Sequence, residues 1–428
     1  MHTILDRRSF LTRSAFVGAS LALPAGAVFA HDVAGSFPRV DALVSRYLAE
    51  RKVANLLVTL GAGQDDHAHQ VGGGRLKFGG TSMANQNTLY RIYSMSKPVT
   101  GMATMMCVED GHFGLDTPLA EVLSAFADMR VLTKPDGALS ETVAAERPIT
   151  IRHLLTHTSG LSYIIDAKGP LREAYAREGL TGAPISRLPL PGMPKIVDAP
   201  SLEALADRLA HLPLIAQPGT RWSYSASFDL LGRVIEVASG MPFEQFLQTR
   251  LFTPLGMDST GFRVDRANQG RLTDNYAMLG GIPIPIDPAS ASIFFDKPSF
   301  PAGGGGLISS PRDYDRFMRM VLGYGLFDGA RIMEEDTVRL AVSNLLPEAA
   351  RTSGTWVAGQ GFGAGGRSVN NSYGWGGAAG TLASVDFGLD RRIGLYTQYM
   401  PPETYPLREE FTAALMEDLG VTVAASPA

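Results

Sequence analysis

The run Ser94-Met95-Ser96-Lys97 places a hydroxyl group and an amine three residues apart. Residues 88–93, just before it, have the pattern of a short strand, and the residues from Pro98 onward have the pattern of a helix that Gly111 is placed to end. A serine at such a corner meets the free N–H groups and the positive end of the helix dipole, and a lysine one turn later lies on the same face. The spacing therefore predicts a serine nucleophile that a neighbouring lysine activates.

Two segments far downstream hold residues that fit the same chemistry. Pro218-Gly219-Thr220 predicts a turn that leads to Tyr224 just before a helix, so the turn can fix the direction of the phenol. The run Trp375-Gly376-Gly377-Ala378 opens a strand with glycines, where a substrate or another stretch of backbone can approach closely.

In their order and context these segments, together with residues 154–161 (LLTHTSGL), resemble the serine β-lactamase and penicillin-binding-protein superfamily. The nearest branches are the class C β-lactamases and the related family VIII carboxylesterases. The resemblance covers nearly the whole chain after the N-terminal segment. It implies a β-lactamase/transpeptidase-like fold of the α+β class, in which helices flank an antiparallel sheet and a mostly helical domain is inserted.

The resemblance also implies a role for each matching residue. Ser94 matches the nucleophile that is acylated, and Lys97 matches the lysine that accepts or relays its proton. Tyr224 matches the tyrosine that acts as base and later activates water. The main-chain N–H groups of Ser94 and Ala378 match the oxyanion hole. Neither a metal nor an organic cofactor is implied.

Two departures from the superfamily pattern bear on the substrate. Trp375, Gly376 and Gly377 stand where β-lactamases and peptidases have Lys-Thr-Gly, and Ala226 stands where they have an asparagine. An indole cannot pair with a substrate carboxylate. Trp375, Gly376 and Gly377, which are predicted to line the substrate pocket, therefore favour small, uncharged carboxylic esters.

Two other functions stay open. One is a β-lactamase or D-amino-acid peptidase of the same fold, and the other is a catalytically idle relative that binds cell-wall fragments.

A phenol ordinarily ionises near pH 10, so a tyrosine base served by one lysine instead of two predicts an alkaline activity optimum.

Several other residues suggest chemistry that their context does not support. Gly80-Thr81-Ser82-Met83-Ala84 is similar to the serine segment of subtilisin-type proteases, but no Pro-His follows, so Ser82 is predicted to be a loop residue. His153 and His157 have a spacing that a metal could use on a helix, yet no clear third ligand accompanies them, and we predict structural roles. Cys107, the only cysteine, is predicted to be a small core residue.

Composition narrows the partners and the location. The formal net charge is −4 and no basic block is present, so nucleic acid is not expected as a partner, whereas a small-molecule ester or amide is.

Residues 1–30 contain Arg7-Arg8, an apolar segment and a small-residue end at Ala30, which is the layout of a twin-arginine export signal. The apolar run is too short for a stable membrane span. These features predict a periplasmic or secreted protein, cleaved after Ala30.

The order of predicted elements suggests how the remaining chain is divided. Residues 31–125 and 290–428 are expected to form the sheet domain, because strand patterns lie near both chain ends. Residues 126–289, in which helix patterns dominate, are expected to form the insertion. The loops at residues 180–200 and 279–300 are expected to shape the substrate pocket.

Overall fold

The computed structural model describes residues 37–187 and 197–421. The predicted export signal and the middle of the 180–200 loop lie outside these ranges. Within them the helices are, in chain order, α1 (Pro38–Ala49), α2 (Ser96–Glu109), α3 (Ile151–Leu155), α4 (Gly169–Arg177), α5 (Leu202–Ala210), α6 (Ser227–Ser239), α7 (Phe243–Leu247), α8 (Thr253–Leu255), α9 (Pro311–Leu322), α10 (Glu335–Val342) and α11 (Leu407–Asp418). The strands are β1 (Asn55–Ala62), β2 (His69–Gly74), β3 (Tyr90–Arg91), β4 (Arg130–Leu132), β5 (Thr142–Ala144), β6 (Asn275–Leu279), β7 (Ile282–Asp287), β8 (Ile308–Ser309), β9 (Leu326–Phe327), β10 (Ala330–Arg331), β11 (Gly361–Phe362), β12 (Arg367–Val369), β13 (Ser372–Gly376), β14 (Leu382–Asp386), β15 (Arg391–Tyr396) and β16 (Tyr399–Met400).

The largest sheet joins strands from both ends of the chain. Its order is β11-β12-β13-β14-β15-β1-β2, and each neighbouring pair is antiparallel. Strand β1, from the N-terminal part, lies beside β15, where Val58 pairs with Leu395. The antiparallel sheet expected from the sequence is therefore present.

Strand β1 is buried on both faces because helices cover both sides of the sheet. Side chains alternate along a strand, and Leu56, Val58 and Leu60 point toward the core shared with α1 and α11. Leu57 points the other way, into the larger core that includes residues of α2, α6 and α9. This arrangement explains why the run has no polar alternation.

Helix α2, which carries the predicted nucleophile at its start, passes through the middle of the larger core. Residues 96–107 are all buried, as expected for a helix that lacks a polar face. Gly101 lets another loop reach its backbone, since a Cβ there would lie 2.0 Å from the Ala364 carbonyl oxygen. The helix ends as predicted: Gly111 has φ +78°, and the N–H of His112 bonds to the Cys107 carbonyl oxygen.

Most of the predicted elements occur at their expected positions, with one clear difference. The Trp375-Gly376-Gly377-Ala378 run was predicted to open a strand, but Trp375 and Gly376 end β13, and a tight connection at residues 377–381 leads from there to the antiparallel strand β14. Residues 279–300, expected to be a loop, contain the turn of the β6–β7 hairpin and the whole of β7, and β6 also pairs with β16. The division into a sheet domain and an insertion stays a prediction. Among the described helices, none has the length and apolar character needed to cross a membrane.

Candidate active site

Ser94 lies in a tight turn that links β3 to α2. The turn, Tyr93–Met95, is a single 3-10 turn directly before the helix. Tyr93 has φ +42°, a strained value for a residue with a side chain. Its ring is buried, and its hydroxyl accepts a hydrogen bond from Asn275 Nδ2 at 3.1 Å. Packing around Tyr93 thus holds the strained turn and sets the direction of the serine.

Lys97 is buried beside this serine. Its Nζ lies 3.4 Å from Ser94 Oγ and donates to the Gly304 carbonyl oxygen at 2.5 Å, and the residue is only 1% exposed. Gly303 lets this segment pack closely against α6, because a Cβ there would lie 2.5 Å from the Phe228 carbonyl oxygen. The glycine run at residues 303–306 therefore allows tight packing at the site.

Tyr224 completes a cluster of three polar groups. Its Oη lies 2.6 Å from Ser94 Oγ, and Lys97 Nζ lies 4.4 Å from the centre of its ring. Backbone bonds fix the loop that carries it: the Ser223 N–H donates to the His157 carbonyl oxygen at 2.8 Å, and the Ala226 N–H donates to the Ser162 carbonyl oxygen at 3.1 Å. The tyrosine is 130 residues from the serine in the chain, yet the fold brings their oxygens into hydrogen-bond contact.

Aromatic rings surround Tyr224 and orient it. Trp356 lies 4.7 Å away between ring centres, and Trp375 stacks on the tyrosine at 6.3 Å with an interplanar angle of 25°. Trp375 is only 3% exposed, so it packs inside the protein against the tyrosine. Trp375 therefore supports Tyr224 directly.

His157 belongs to the same aromatic cluster. Its ring centre lies 4.8 Å from that of Tyr224, and its Nδ1 is 2.9 Å from Ser225 Oγ. Burial holds the pKa of His157 well below its usual range, and the positive charge of Lys97 acts in the same direction. A neutral imidazole therefore packs behind the tyrosine.

His153 has a structural role that the residues around it explain. It forms a capping box with Thr150 at the start of α3, in which the Thr150 N–H donates to His153 Nδ1 at 3.2 Å. Burial lowers the pKa of His153 to about 4. Across the described ranges, no group of three His, Cys, Asp or Glu side chains is arranged to hold a metal ion.

The segment that follows β13 runs directly against the nucleophile turn. A Cβ at Gly377 would lie 2.3 Å from the Ile92 carbonyl oxygen, so only glycine allows these two backbones to approach so closely. A Cβ at Gly376 would lie 2.9 Å from Arg408 Nη2. Ala378, the predicted second donor of the oxyanion hole, comes next in the chain and packs near Tyr93.

Asp229 is a buried carboxylate at the site that sequence reasoning missed. Its Oδ1 accepts a hydrogen bond from the Gly304 N–H at 2.8 Å, and Gly304 in turn accepts from Lys97. Burial raises the pKa of Asp229 to about 6, although the Gly304 hydrogen bond and the charge of Lys97 act against that rise. Asp229 lies five positions after Tyr224, on the first turn of α6. This closeness to Tyr224 in the chain is the one feature of the sequence that relates Asp229 to the site.

The structure thus brings Ser94, Lys97 and Tyr224 together and places the Trp375-Gly376-Gly377-Ala378 run beside them. A hydroxyl group that contacts a phenol and an ammonium, at the start of a helix, is suited to nucleophilic acyl transfer. Reasoning from the sequence missed three further groups at the site: the Gly304 carbonyl, the Asp229 carboxylate and the Arg408 guanidinium.

Comparisons with known proteins agree with this chemistry. The Beta-lactamase family model matches residues 40–416. Protein Rv1367c of Mycobacterium tuberculosis (strain ATCC 25618 / H37Rv) is 33% identical over 335 residues, which are 74% of this chain and 79% of the relative. Esterase EstB of Burkholderia gladioli is 28% identical over 311 residues, which are 68% of this chain and 72% of the relative.

Solved structures share the fold. EstCE1, described as a hydrolase with promiscuous acyltransferase activity, matches with a TM-score of 0.71 at 24% identity, over 88% of this chain and 97% of its own. Unliganded simvastatin synthase (LovD) from Aspergillus terreus matches with a TM-score of 0.68 at 21% identity, over 89% of this chain and 98% of its own. The predicted β-lactamase/transpeptidase-like architecture is confirmed.

Proposed function

The chain belongs to the beta-lactamase family as a serine hydrolase, and we propose that it cleaves short-chain carboxylic esters through an acyl-enzyme on Ser94. The contact between the nucleophile and its base carries the proposal: Ser94 Oγ lies 2.6 Å from Tyr224 Oη. A hydroxyl is a weak nucleophile until a base within hydrogen-bond reach takes its proton. Lys97 Nζ, at 3.4 Å from the same oxygen, is the more distant of the two groups.

In the acylation step, Tyr224 starts as the phenolate, and its Oη takes the proton of Ser94 as Oγ forms a bond to the ester carbonyl carbon. The negative charge that develops on the carbonyl oxygen is held by the main-chain N–H groups of Ser94 and Ala378. As an ammonium group near the ring, Lys97 offsets the negative charge on the tyrosine. When the intermediate collapses, the bond to the alcohol oxygen breaks and Tyr224 returns its proton to that oxygen.

Deacylation repeats these steps with water. Tyr224 takes a proton from water as the water oxygen attacks the acyl carbon, and the same N–H groups hold the new oxyanion. The bond to Ser94 Oγ then breaks, the acid leaves, and Oγ regains its proton from the tyrosine. One base therefore serves both halves of the reaction.

The surroundings of Tyr224 support an uncharged substrate. Trp375 replaces the cation that would hold a carboxylate, and it stacks on the tyrosine. Arg367 has its guanidinium carbon 5.0 Å from the Trp375 ring centre, but this side chain donates to the Trp356 carbonyl oxygen at 2.6 Å and is largely buried.

The test compares p-nitrophenyl butyrate with the β-lactam nitrocefin, using the wild-type protein, Ser94→Ala and Ser82→Ala. Ser82 is exposed and belongs to the protease-like motif, so its variant is a matched control for removing a serine hydroxyl. We expect ester hydrolysis that Ser94→Ala abolishes and Ser82→Ala leaves unchanged, with little nitrocefin turnover.

Three other outcomes would each contradict part of the proposal. Dominant nitrocefin cleavage would favour the β-lactamase alternative. If Ser82→Ala loses activity while Ser94→Ala keeps it, Ser94 is not the nucleophile. A wild-type protein that neither hydrolyses esters nor reacts with a fluorophosphonate probe would favour the idle cell-wall-binding alternative.

A further inference from the structure

We propose that Arg408 is a positioning residue for the oxyanion hole, which it orders and polarises through the peptide group between Gly377 and Ala378. The inference rests on the proposed function, in which the Ala378 N–H holds the oxyanion. Arg408 is a buried arginine on the last described helix, far from Ser94 in the chain, and it affects catalysis through this peptide group.

Arg408 fixes both ends of the turn that contains Ala378. It is the second residue of α11 and is 7% exposed. Its Nη2 donates to the Gly377 carbonyl oxygen at 2.7 Å and to the Thr381 carbonyl oxygen at 2.9 Å. The turn also closes on itself, because the Gly377 N–H donates to the Thr381 carbonyl oxygen at 2.8 Å.

The bond to Gly377 is the one that matters for chemistry. The Gly377 carbonyl and the Ala378 N–H belong to one planar, conjugated peptide group, in which C=O and N–H point in opposite directions. A cation that donates to the oxygen draws electron density from the nitrogen and makes its N–H a stronger donor. The guanidinium therefore lies behind the peptide, and the developing oxyanion lies in front of it.

The sequence around the site accommodates this arrangement. Gly376 leaves the space that the guanidinium occupies, since a Cβ there would lie 2.9 Å from Nη2. Gly377 lets the peptide approach the Ile92 carbonyl next to the nucleophile turn. The two glycines after Trp375 thus give the peptide access to the cation on one side and to the Ser94 turn on the other.

Burying a guanidinium costs free energy unless its donors are satisfied. Two carbonyl oxygens accept from Nη2, and one of them belongs to the catalytic peptide. A neutral side chain with N–H donors could also hold the two carbonyl groups, and with them the turn, in place. The positive charge of the guanidinium is what would polarise the peptide group between Gly377 and Ala378. The experiment therefore varies the charge and the donors separately.

The test uses Arg408→Lys, which keeps charge and donors, Arg408→Gln, which keeps N–H donors without the charge, and Arg408→Met, which removes both at similar length. Arg208→Met is the matched control, because Arg208 also donates to a main-chain carbonyl, that of Glu178, at 2.6 Å but away from the site. For each folded variant we would measure kcat and KM for p-nitrophenyl butyrate, the rate at which a fluorophosphonate modifies Ser94, and Ki for a trifluoromethyl ketone. That ketone forms a tetrahedral adduct whose oxyanion occupies the hole.

We expect Arg408→Met to lower kcat and the fluorophosphonate rate at least 10-fold and to raise Ki by the same factor, with KM within twofold of wild type. Arg408→Lys should fall between wild type and Arg408→Met, Arg408→Gln should be nearly as slow as Arg408→Met, and Arg208→Met should match wild type in all three measurements. A rate and Ki unchanged in folded Arg408→Met, or in folded Arg408→Gln, would overturn the inference and leave the arginine a structural role. If the wild-type Ser94 does not react with the fluorophosphonate, the proposed function itself fails, and the inference fails with it.

Discussion

Replacing Tyr224 with phenylalanine tests the proposed mechanism most directly. The change removes a single oxygen, the one that lies 2.6 Å from Ser94 Oγ, and keeps the ring that packs against Trp356 and Trp375. A positioned general base contributes roughly 100- to 10,000-fold to a rate, which corresponds to about 3–5 kcal/mol of transition-state stabilisation. We therefore expect kcat/KM for p-nitrophenyl butyrate to fall by a factor in that range.

The same substitution should change stability little. The lost hydroxyl gives up one hydrogen bond, worth about 1 kcal/mol in the free energy of unfolding. Tyr175→Phe is a suitable control, because the Tyr175 hydroxyl is also buried and accepts one hydrogen bond, from the Ser162 N–H at 3.2 Å. The control should lose a similar amount of stability in urea unfolding while its kcat/KM stays within twofold of wild type.

The result can refute the assignment of the base. If Tyr224→Phe retains kcat/KM within tenfold of wild type, the tyrosine is not the group that takes the serine proton. Lys97, whose Nζ is 3.4 Å from the same oxygen, would then be the base. If Tyr224 and Lys97 act as one unit, the double variant Tyr224→Phe/Lys97→Met should be no slower than the worse single variant.

Two further predictions concern groups outside the catalytic cluster. Because burial lowers the pKa of His153 to about 4 while the unfolded chain keeps the ordinary value near 6.5, the unfolded state binds the extra proton between these values. The free energy of unfolding should therefore fall by up to ~3 kcal/mol as the pH drops through that window. Urea unfolding of His153→Gln, whose amide can replace the cap acceptor, should show a flatter pH dependence, and equal slopes for the variant and the wild type would contradict this. Burial also raises the pKa of the Cys107 thiol to about 12. Iodoacetamide at pH 8 should leave the native protein unmodified and fully active and should label it after unfolding, whereas rapid labelling of the native protein would contradict the core assignment.

Local patterns in the sequence predicted those parts of the site that lie close together in the chain. Ser94 and Lys97 share a face because they are three residues apart at the start of a helix, and backbone geometry alone imposes that relation. The helix end at Gly111 follows from a local rule of the same kind. The roles of Tyr224 and Ala378 came from family resemblance and stay predictions until the variants are tested.

Long-range packing decided the rest. No local rule places the Tyr224 hydroxyl on Ser94, since the contact depends on a loop tied to residues 157–162 and on three tryptophan rings. The sequence also predicted that a strand opens at residues 375–378, because the local pattern there does not record that residues 377–381 fold back as a turn.

The sequence by itself indicated the type of chemistry, because a serine and a lysine at helical spacing occur together with distant segments that resemble those of the serine β-lactamase superfamily. Only the tertiary structure decided which other groups lie at the site: the Gly304 carbonyl, the Asp229 carboxylate and the Arg408 guanidinium. A main-chain carbonyl is the same in every residue, and a buried charge is stable only beside partners that the folded chain supplies. Such contacts have no signature in the sequence, because they depend on how distant segments pack together.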